Sequence, residues 1–286
     1  MYGYNFSGSQ DDNAYTDLAL ERRRADTHVD GIEYKREIAI GGVWERINVT
    51  TQKGAESIGR PIGIYDTLNL GRIDILDSDG IDDAKCEIEK ELCYIFDESE
   101  AYPERILVVG LGNPSLTPDS LGYDTARLVK PTMHIKDFDE GYFKKLACSE
   151  IAVCTPGVFS MSGLDALVTV KGICDVIAPT AVIAIDAIAS RAVERLGTTV
   201  QISNTGIIPG SGLGGVGQAI DRSALGIPVI AIGIPTVINS RHFSHKESKR
   251  DDYPSMFVSP KEINEIVEVG AEIISGGINR AFGLYI

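Results

Sequence analysis

The chain has 286 residues, enough for one large α/β domain, and 43% of them are hydrophobic, so a sizeable core can form. Its 27 Lys and Arg against 41 Asp and Glu give a formal net charge of −14 at pH 7, which argues against a broad nucleic-acid face, since phosphate contacts need clustered cations. The five cysteines (Cys86, Cys93, Cys148, Cys154 and Cys174) lack CxxC spacing, so neither a disulfide frame nor a zinc ribbon is indicated, and no long apolar span reads as a signal peptide or membrane segment. The simplest reading is a cytoplasmic protein with no cofactor motif and no metal motif.

Residues 1–15 are polar, Gly/Ser-rich and aperiodic, and read as a loose tail. Thr16-Asp-Leu-Ala-Leu-Glu21 is a short apolar patch framed by acids, compatible with a capped helix start. β-Formers between residues 32 and 51 alternate with polar residues, predicting a hairpin that turns at Gly41-Gly42. Residues 74–100 carry eleven Asp and Glu against Lys85 and Lys90. Ile88, Leu92 and Ile95 fall there at helical spacing, so an amphipathic helix with a solvated acidic face is expected.

From Ile106 the rhythm becomes strand, loop, helix. Strands are expected at 106–110, 150–155, 181–186, 199–203 and 228–234, with helical stretches near 119–129, 163–177, 189–196 and 216–224. Near-continuous apolar runs such as Ala181-Val-Ile-Ala-Ile-Asp186 suit strands covered on both faces. The fold class that follows is α/β: a mostly parallel sheet with helices on both faces and an N-terminal β-rich extension. Residues 239–256 read as a loop. A long amphipathic helix over 260–282, loosened by Gly276-Gly277, closes the chain.

Two acids stand out. Asp119 follows the strand 106–110 and its Gly110-Leu-Gly112-Asn113 turn, and either caps the next helix or acts at the carboxyl edge of the sheet, where α/β folds bind ligands. Asp186 ends an apolar strand, where a lone charge is costly unless it has a partner. Both would emerge on one edge. Two carboxylates in one crevice do not both ionise readily, so they share a proton and suit general acid–base work on an amide. Gly210-Ser-Gly212-Leu-Gly-Gly215 matches GxGxxG, but the following strand lacks the acid that nucleotide binding requires. A backbone wall for a peptide, built from Gly206, Gly210, Ser211 and Gly212, is the better functional reading. His242 and His245 are a weak metal hint in a polar loop.

Taken together, TDLALE (16–21), GLGNPSLTPDSLG (110–122), PGVFSMSG (156–163), AIDAIASR (184–191), ISNTGIIPGSG (202–212) and LGIPVIAIGIPTV (225–237) resemble the germination protease family of spore-forming bacteria. Those enzymes are endopeptidases that degrade small acid-soluble spore proteins. GLGN followed by an acid also looks like the hydrogenase-maturation proteases, which share the α/β core. The resemblance implies that Asp119 and Asp186 match the aspartates proposed as catalytic, in an aspartic-type peptidase without a required cofactor. It implies a zymogen that trims itself. Family substrates are cut after an acid within a T/S-E/D-apolar-Ala-x-acid motif, and Thr16–Glu21 looks like such a site, with the cut between Asp17 and Leu18. Residues 1–17 would be a propeptide and 18–286 the catalytic domain, β-rich over 18–103 with its core at 104–286. A homotetramer in the spore core is implied as well, acting on neither membrane nor nucleic acid. Arg127, Lys130, Lys171 and Arg191 are candidate partners for the acidic substrate positions. Asp165 and the pair Gly215-Val216 depart from the pattern. The rival readings are a metal-dependent maturation protease, with His134 as a ligand, and a non-catalytic nucleotide- or peptide-binding module.

Overall fold

The alternating stretch at the start of the chain folds as a hairpin. In the computed structural model, residues 16–22, 29–211, 217–240 and 256–284 are described. A short helix, α1 (Ala19–Arg22), precedes strands β1 (Ile32–Ala39) and β2 (Gly42–Val49). Ala39 pairs with Gly42, so the turn falls at Ile40-Gly41, one residue earlier than expected. Helix α2 (Gln52–Ile58) follows. Thr51 caps it, its hydroxyl accepting from the Gly54 N–H at 3.1 Å, and left-handed Gly59 ends it. The chain thereby delivers Arg60 and Pro61 to the sheet before β3 (Gly63–Asn69).

Helix α3 (Ser78–Glu98) is the acidic helix. Its apolar stripe is fully buried at Ile88, Leu92 and Ile95, each contributing about 2 kcal/mol. Its acids are not all solvated, however: Glu87 and Glu91 are only 6% and 5% exposed. Strand β2 supplies the reason. Trp44 Nε1 donates to Glu87 at 2.9 Å, and Arg46 bridges Glu91 at 2.9 Å and Asp66 of β3 at 2.8 Å.

The rest of the chain runs β4 (Arg105–Gly110), α4 (Leu121–Leu128), α5 (Met133–Phe138), α6 (Glu140–Leu146), β5 (Glu150–Cys154), α7 (Phe159–Ser162), α8 (Ala166–Ile177) and β6 (Ala181–Ser190). It continues as β7 (Thr199–Ser203), α9 (Arg222–Leu225), β8 (Val229–Asn239), β9 (Phe257–Val258) and α10 (Ile263–Phe282). The strands form one sheet in the order β1-β2-β3-β7-β8-β6-β4-β5, with β9 beside β8. Its central part, β5-β4-β6-β8, is parallel. The N-terminal strands extend it antiparallel through β7. One core lies between the sheet and α3, α4 and α10; a second lies under α8 and α9 on the other face.

Two expected helices differ. Where 189–196 reads as helical, β6 continues to Ser190 past a bulge at Ile188/Ala189, because Ala189 and Ser190 still pair with β8, and only a 3₁₀ turn follows. Of 217–224, only the stretch within α9 is helical, and Val216 lies outside the described residues. The glycine pair in α10 marks a close contact rather than a loosening: a Cβ on Gly277 would lie 2.4 Å from Ile88 Cγ2. Asp165 caps α8, accepting from the Leu167 N–H at 2.9 Å. Residues 1–15 and most of the 239–256 loop lie outside the described residues. Among the described residues no helix is long and apolar enough to cross a membrane.

Candidate active site

The turn after β4 sets the first acid. Gly112 has φ +94°, and a Cβ there would lie 1.9 Å from the Asp119 carbonyl oxygen, so only glycine lets the loop fold back this closely. The Asn113 N–H then donates to both the carbonyl and the carboxylate of Asp119, each at 3.0 Å. Asp119 ends the 3₁₀ turn Thr117–Asp119.

The second acid is set by register. Asp186 of β6 pairs with Gly233 of β8, Gly233 with Gln201 of β7, and Gln201 with Thr67 of β3. These residues form one row across the sheet. Gly233 offers no side chain, and the Ile188 side chain packs over it between Asp186 and Gln201. Asp186 is 4% exposed and its Oδ1 accepts from the Ala187 N–H at 2.9 Å.

Both acids line a crevice of about 340 Å³, together with Arg60, Gln201, Gly206, Gly210 and Ser211. Burial pushes the Asp119 carboxyl up, against the opposing Asn113 N–H. Asp186 is raised well above the ordinary range, first by burial and then by the charges of Asp119 and Asp17, while the Ala187 and Gly210 N–H groups pull it down. Of the pair, Asp186 is therefore the one that holds a proton more tightly.

The chain's own segment Thr16–Arg22 runs along this crevice and contributes Asp17 to its lining. The Asp17 N–H donates to the Ala189 carbonyl at 2.9 Å, and the Ala189 N–H donates to the Asp17 carboxylate at 2.8 Å. Ser211 Oγ donates to the other carboxylate oxygen at 2.6 Å, and Arg60 Nη2 stands 3.9 Å from it. Arg60 also donates to the Thr16 carbonyl at 2.9 Å. Gln201 Nε2 donates to the Asp17 carbonyl at 3.2 Å, and its Oε1 accepts from the Ala19 N–H at 2.9 Å. Leu18 and Ala19 are fully buried. Beyond them, Glu21 accepts from Ser190 Oγ at 2.6 Å and from the N–H groups of Arg191 and Ala192 at 2.6 and 3.0 Å.

Asp17, Asp119, Asp186, Gly206, Gly210 and Ser211 thus meet in one crevice. Ser211 meets the Asp17 side chain, and Gly210 turns its N–H to Asp186. Gly212, His242 and His245 lie outside the described residues. None of the four expected cations lines the crevice. Arg127 lies on α4, 4.0 Å from Asp124, and Lys130 and Lys171 are exposed elsewhere. Arg191 contributes its backbone N–H to the bound segment. Arg60 is the cation in the crevice. His134 is exposed on α5, away from it. Among the described residues no three His, Cys, Asp or Glu side chains converge as a metal-ligand set. Gln201 had a legible signal: an uncharged polar residue between Val200 and Ile202 in a buried strand needs a partner.

A carboxyl pair beside a segment of chain whose main-chain and side-chain groups are held by hydrogen bonds defines a peptide-handling α/β protein. The chain belongs to the germination protease family, whose model matches residues 12–246. It is 34% identical to the germination protease of Caldanaerobacter subterraneus subsp. tengcongensis over 93% of each chain. It is 33% identical to that of Bacillus subtilis, over 86% of this chain and 71% of the relative. Among solved structures it is similar to the [NiFe] hydrogenase maturation protease HycI of Thermococcus kodakarensis, at 17% identity and a TM-score of 0.35, over 63% of this chain and 96% of that one. Family membership makes the chain a peptidase with a role in spore germination.

Proposed function

We propose that this peptidase is an aspartic-type endopeptidase that initiates degradation of small acid-soluble spore proteins, made as a zymogen that cuts itself between Asp17 and Leu18. Residues 1–17 are then the propeptide and 18–286 the catalytic domain. The observation that carries the reading is that Asp17 lines the same crevice as Asp119 and Asp186, with its carbonyl bound by Gln201. Asp119, the ionised member, takes a proton from a water whose oxygen adds to the Asp17 carbonyl carbon. Asp186, the protonated member, gives its proton to the Leu18 nitrogen as the C–N bond breaks. Spore-protein substrates enter the same groove. Arg60 and Ser211 receive the acid before the cut, and residues 190–192 receive the acid beyond it. The family resemblance supplies the spore-core location and the homotetramer.

Intact-mass measurement over time after mild acidification, on wild type and Asp119→Asn, tests this. Loss of residues 1–17 in wild type alone is expected, followed by cleavage of a purified spore protein. Full self-cleavage by folded Asp119→Asn would overturn the assignment.

A further inference from the structure

Gln201 touches the chain on both sides of the bond in question. Its Nε2 donates to the Asp17 carbonyl oxygen at 3.2 Å, and its Oε1 accepts from the Ala19 N–H at 2.9 Å. That carbonyl belongs to the Asp17–Leu18 peptide, and the N–H belongs to the second residue beyond it. One planar amide therefore spans the bond, with both its donor and its acceptor engaged. Its strand is fixed by Val200 and Ile202, which are fully buried on the opposite face. The row Asp186–Gly233–Gln201 places it two strands from the buried acid, with no side chain at Gly233 between them. A Cβ at Gly233 would lie 2.7 Å from Ile188 Cγ2 and 3.0 Å from the Asp186 carbonyl oxygen, so the glycine admits the Ile188 side chain over this point of the row.

We propose that Gln201 is the oxyanion donor of this protease, and that its bond to the Ala19 N–H locks the carboxamide in the orientation that aims Nε2 at the reacting oxygen. The inference rests on the proposed cut between Asp17 and Leu18. When water oxygen adds to the Asp17 carbonyl carbon, the C=O π pair moves onto the carbonyl oxygen. That oxygen is the one Gln201 already contacts. A ground-state bond of 3.2 Å can shorten as negative charge builds, so the interaction is stronger in the transition state than in the resting complex. When the pair returns, the C–N bond breaks and Asp186 protonates the Leu18 nitrogen. Gln201 gains and loses no proton; it is neutral throughout.

The test follows self-cleavage of the full chain by intact mass, as a first-order rate across a range of pH, for wild type, Asp119→Asn, Gln201→Met and Gln201→Glu. Thermal melts are run beside it. Gln201→Met keeps the length but has no N–H donor; its rate should fall roughly 10²- to 10³-fold at every pH, with the shape of the pH profile unchanged and a small fall in melting temperature from the Ala19 N–H left without its acceptor. Gln201→Glu should be as slow at neutral pH. Relative to wild type, it should regain rate as pH falls, because a protonated carboxyl can donate to the same oxygen. A merely structural role for Gln201 predicts that any low-pH recovery of rate is matched by recovery of the melting temperature. A Gln201→Met rate within threefold of wild type, while Asp119→Asn is inactive, would overturn the oxyanion role and leave the protease reading standing. Equal slowing of both Gln201 variants at all pH with markedly lowered melting temperatures would make Gln201 structural and also overturn it. No cut by wild type itself would remove the proposed function and this inference together.

Discussion

Glu91 is one of the buried carboxyls through which the stability of this fold responds to pH. Its carboxyl is buried against β2 and β3, with Arg46 Nη2 at 2.9 Å from both its oxygens and fully buried Asp66 beside it. Burial first, then the hydrogen bond and charge of Asp66, push Glu91 up to about 9 against the pull of Arg46. A protonated Glu91 also supplies a donor to Asp66 Oδ1, which is buried with no other partner. The folded-state value lies above the ordinary 4.5, so the folded protein holds this proton more tightly than the unfolded chain. The stability that follows is fully present below about pH 4.5 and is lost as pH rises toward 9. Each unit in that window costs about 1.4 kcal/mol, so the loss is about 3 kcal/mol by pH 7 and about 6 kcal/mol by pH 9. Glu91→Gln keeps the shape and a donor but has no proton to lose, while Asp66 still faces Arg46. Urea unfolding of both proteins at unit steps from pH 5 to 9 measures the effect, and the difference between the two curves isolates this proton. Wild type should lose stability relative to Glu91→Gln across the series. Two parallel curves would refute the reasoning.

Asp186→Asn should separate stability from activity. The amide still accepts from the Ala187 N–H and adds no charge to a crevice already holding Asp119 and Asp17, so stability at pH 7 should hold or rise by about 0.5–2 kcal/mol. Self-cleavage should fall at least roughly 10²-fold; a melt showing marked destabilisation would contradict the buried-acid account. Arg60 stands 3.9 Å from the Asp17 carboxylate, a pair worth about 1 kcal/mol. Asp17→Asn should therefore slow self-cleavage about fivefold more in wild type than in Arg60→Met; equal slowing would remove Arg60 from recognition of that acid.

The parallel heart of the fold was legible because β4 and β6 are nearly unbroken apolar runs, and only strands covered on both faces can be so. Asp186 was legible for the same reason: a charge at the end of such a run must have a partner. Direction was not legible. An apolar run such as Thr199–Ser203 reads alike whichever way it runs, and β7 proved antiparallel. Helix α2 escaped because it is short and buries little besides Ala55 and Ile58, so it leaves no amphipathic stripe, and Arg60 escaped with it. The buried acids of α3 depend on Trp44 and Arg46, more than forty residues away, and no local pattern announces that pairing. Gln201 needed the register that faces it toward Asp186 across Gly233. The acid pair and Ser211 were thus visible from local sequence, whereas Arg60 and Gln201 came into view only with the antiparallel pairings of β3 and β7.

Glu21 ties the proposed self-cut to the enzyme it would release. It lies on the side of the Asp17–Leu18 bond that stays with the chain, and its carboxylate is held by Ser190 and by the N–H groups of Arg191 and Ala192. The Thr16 hydroxyl also donates to it, from the side that leaves. Breaking one peptide bond therefore removes residues 1–17 without emptying the crevice: Leu18 and Ala19 remain anchored through Glu21. Hydrogen bonds to a carboxylate are worth about 1.5–3 kcal/mol each but add to less than their sum, so losing this anchor should cost about 2–3 kcal/mol of docking. That is roughly 30- to 150-fold in the ratio of docked to released segment. Glu21→Ala should then act in opposite directions on the two reactions. Self-cleavage slows, by up to that factor, because fewer chains present Asp17–Leu18 to the acids. Hydrolysis of an added spore protein by the cut enzyme speeds up, because the retained segment yields the groove more readily. Intact mass follows the first rate and gel densitometry of the substrate the second. Slowing of both would place Glu21 in the machinery that acts on substrates. No change in either would mean that its contacts with residues 190–192 do not hold the segment.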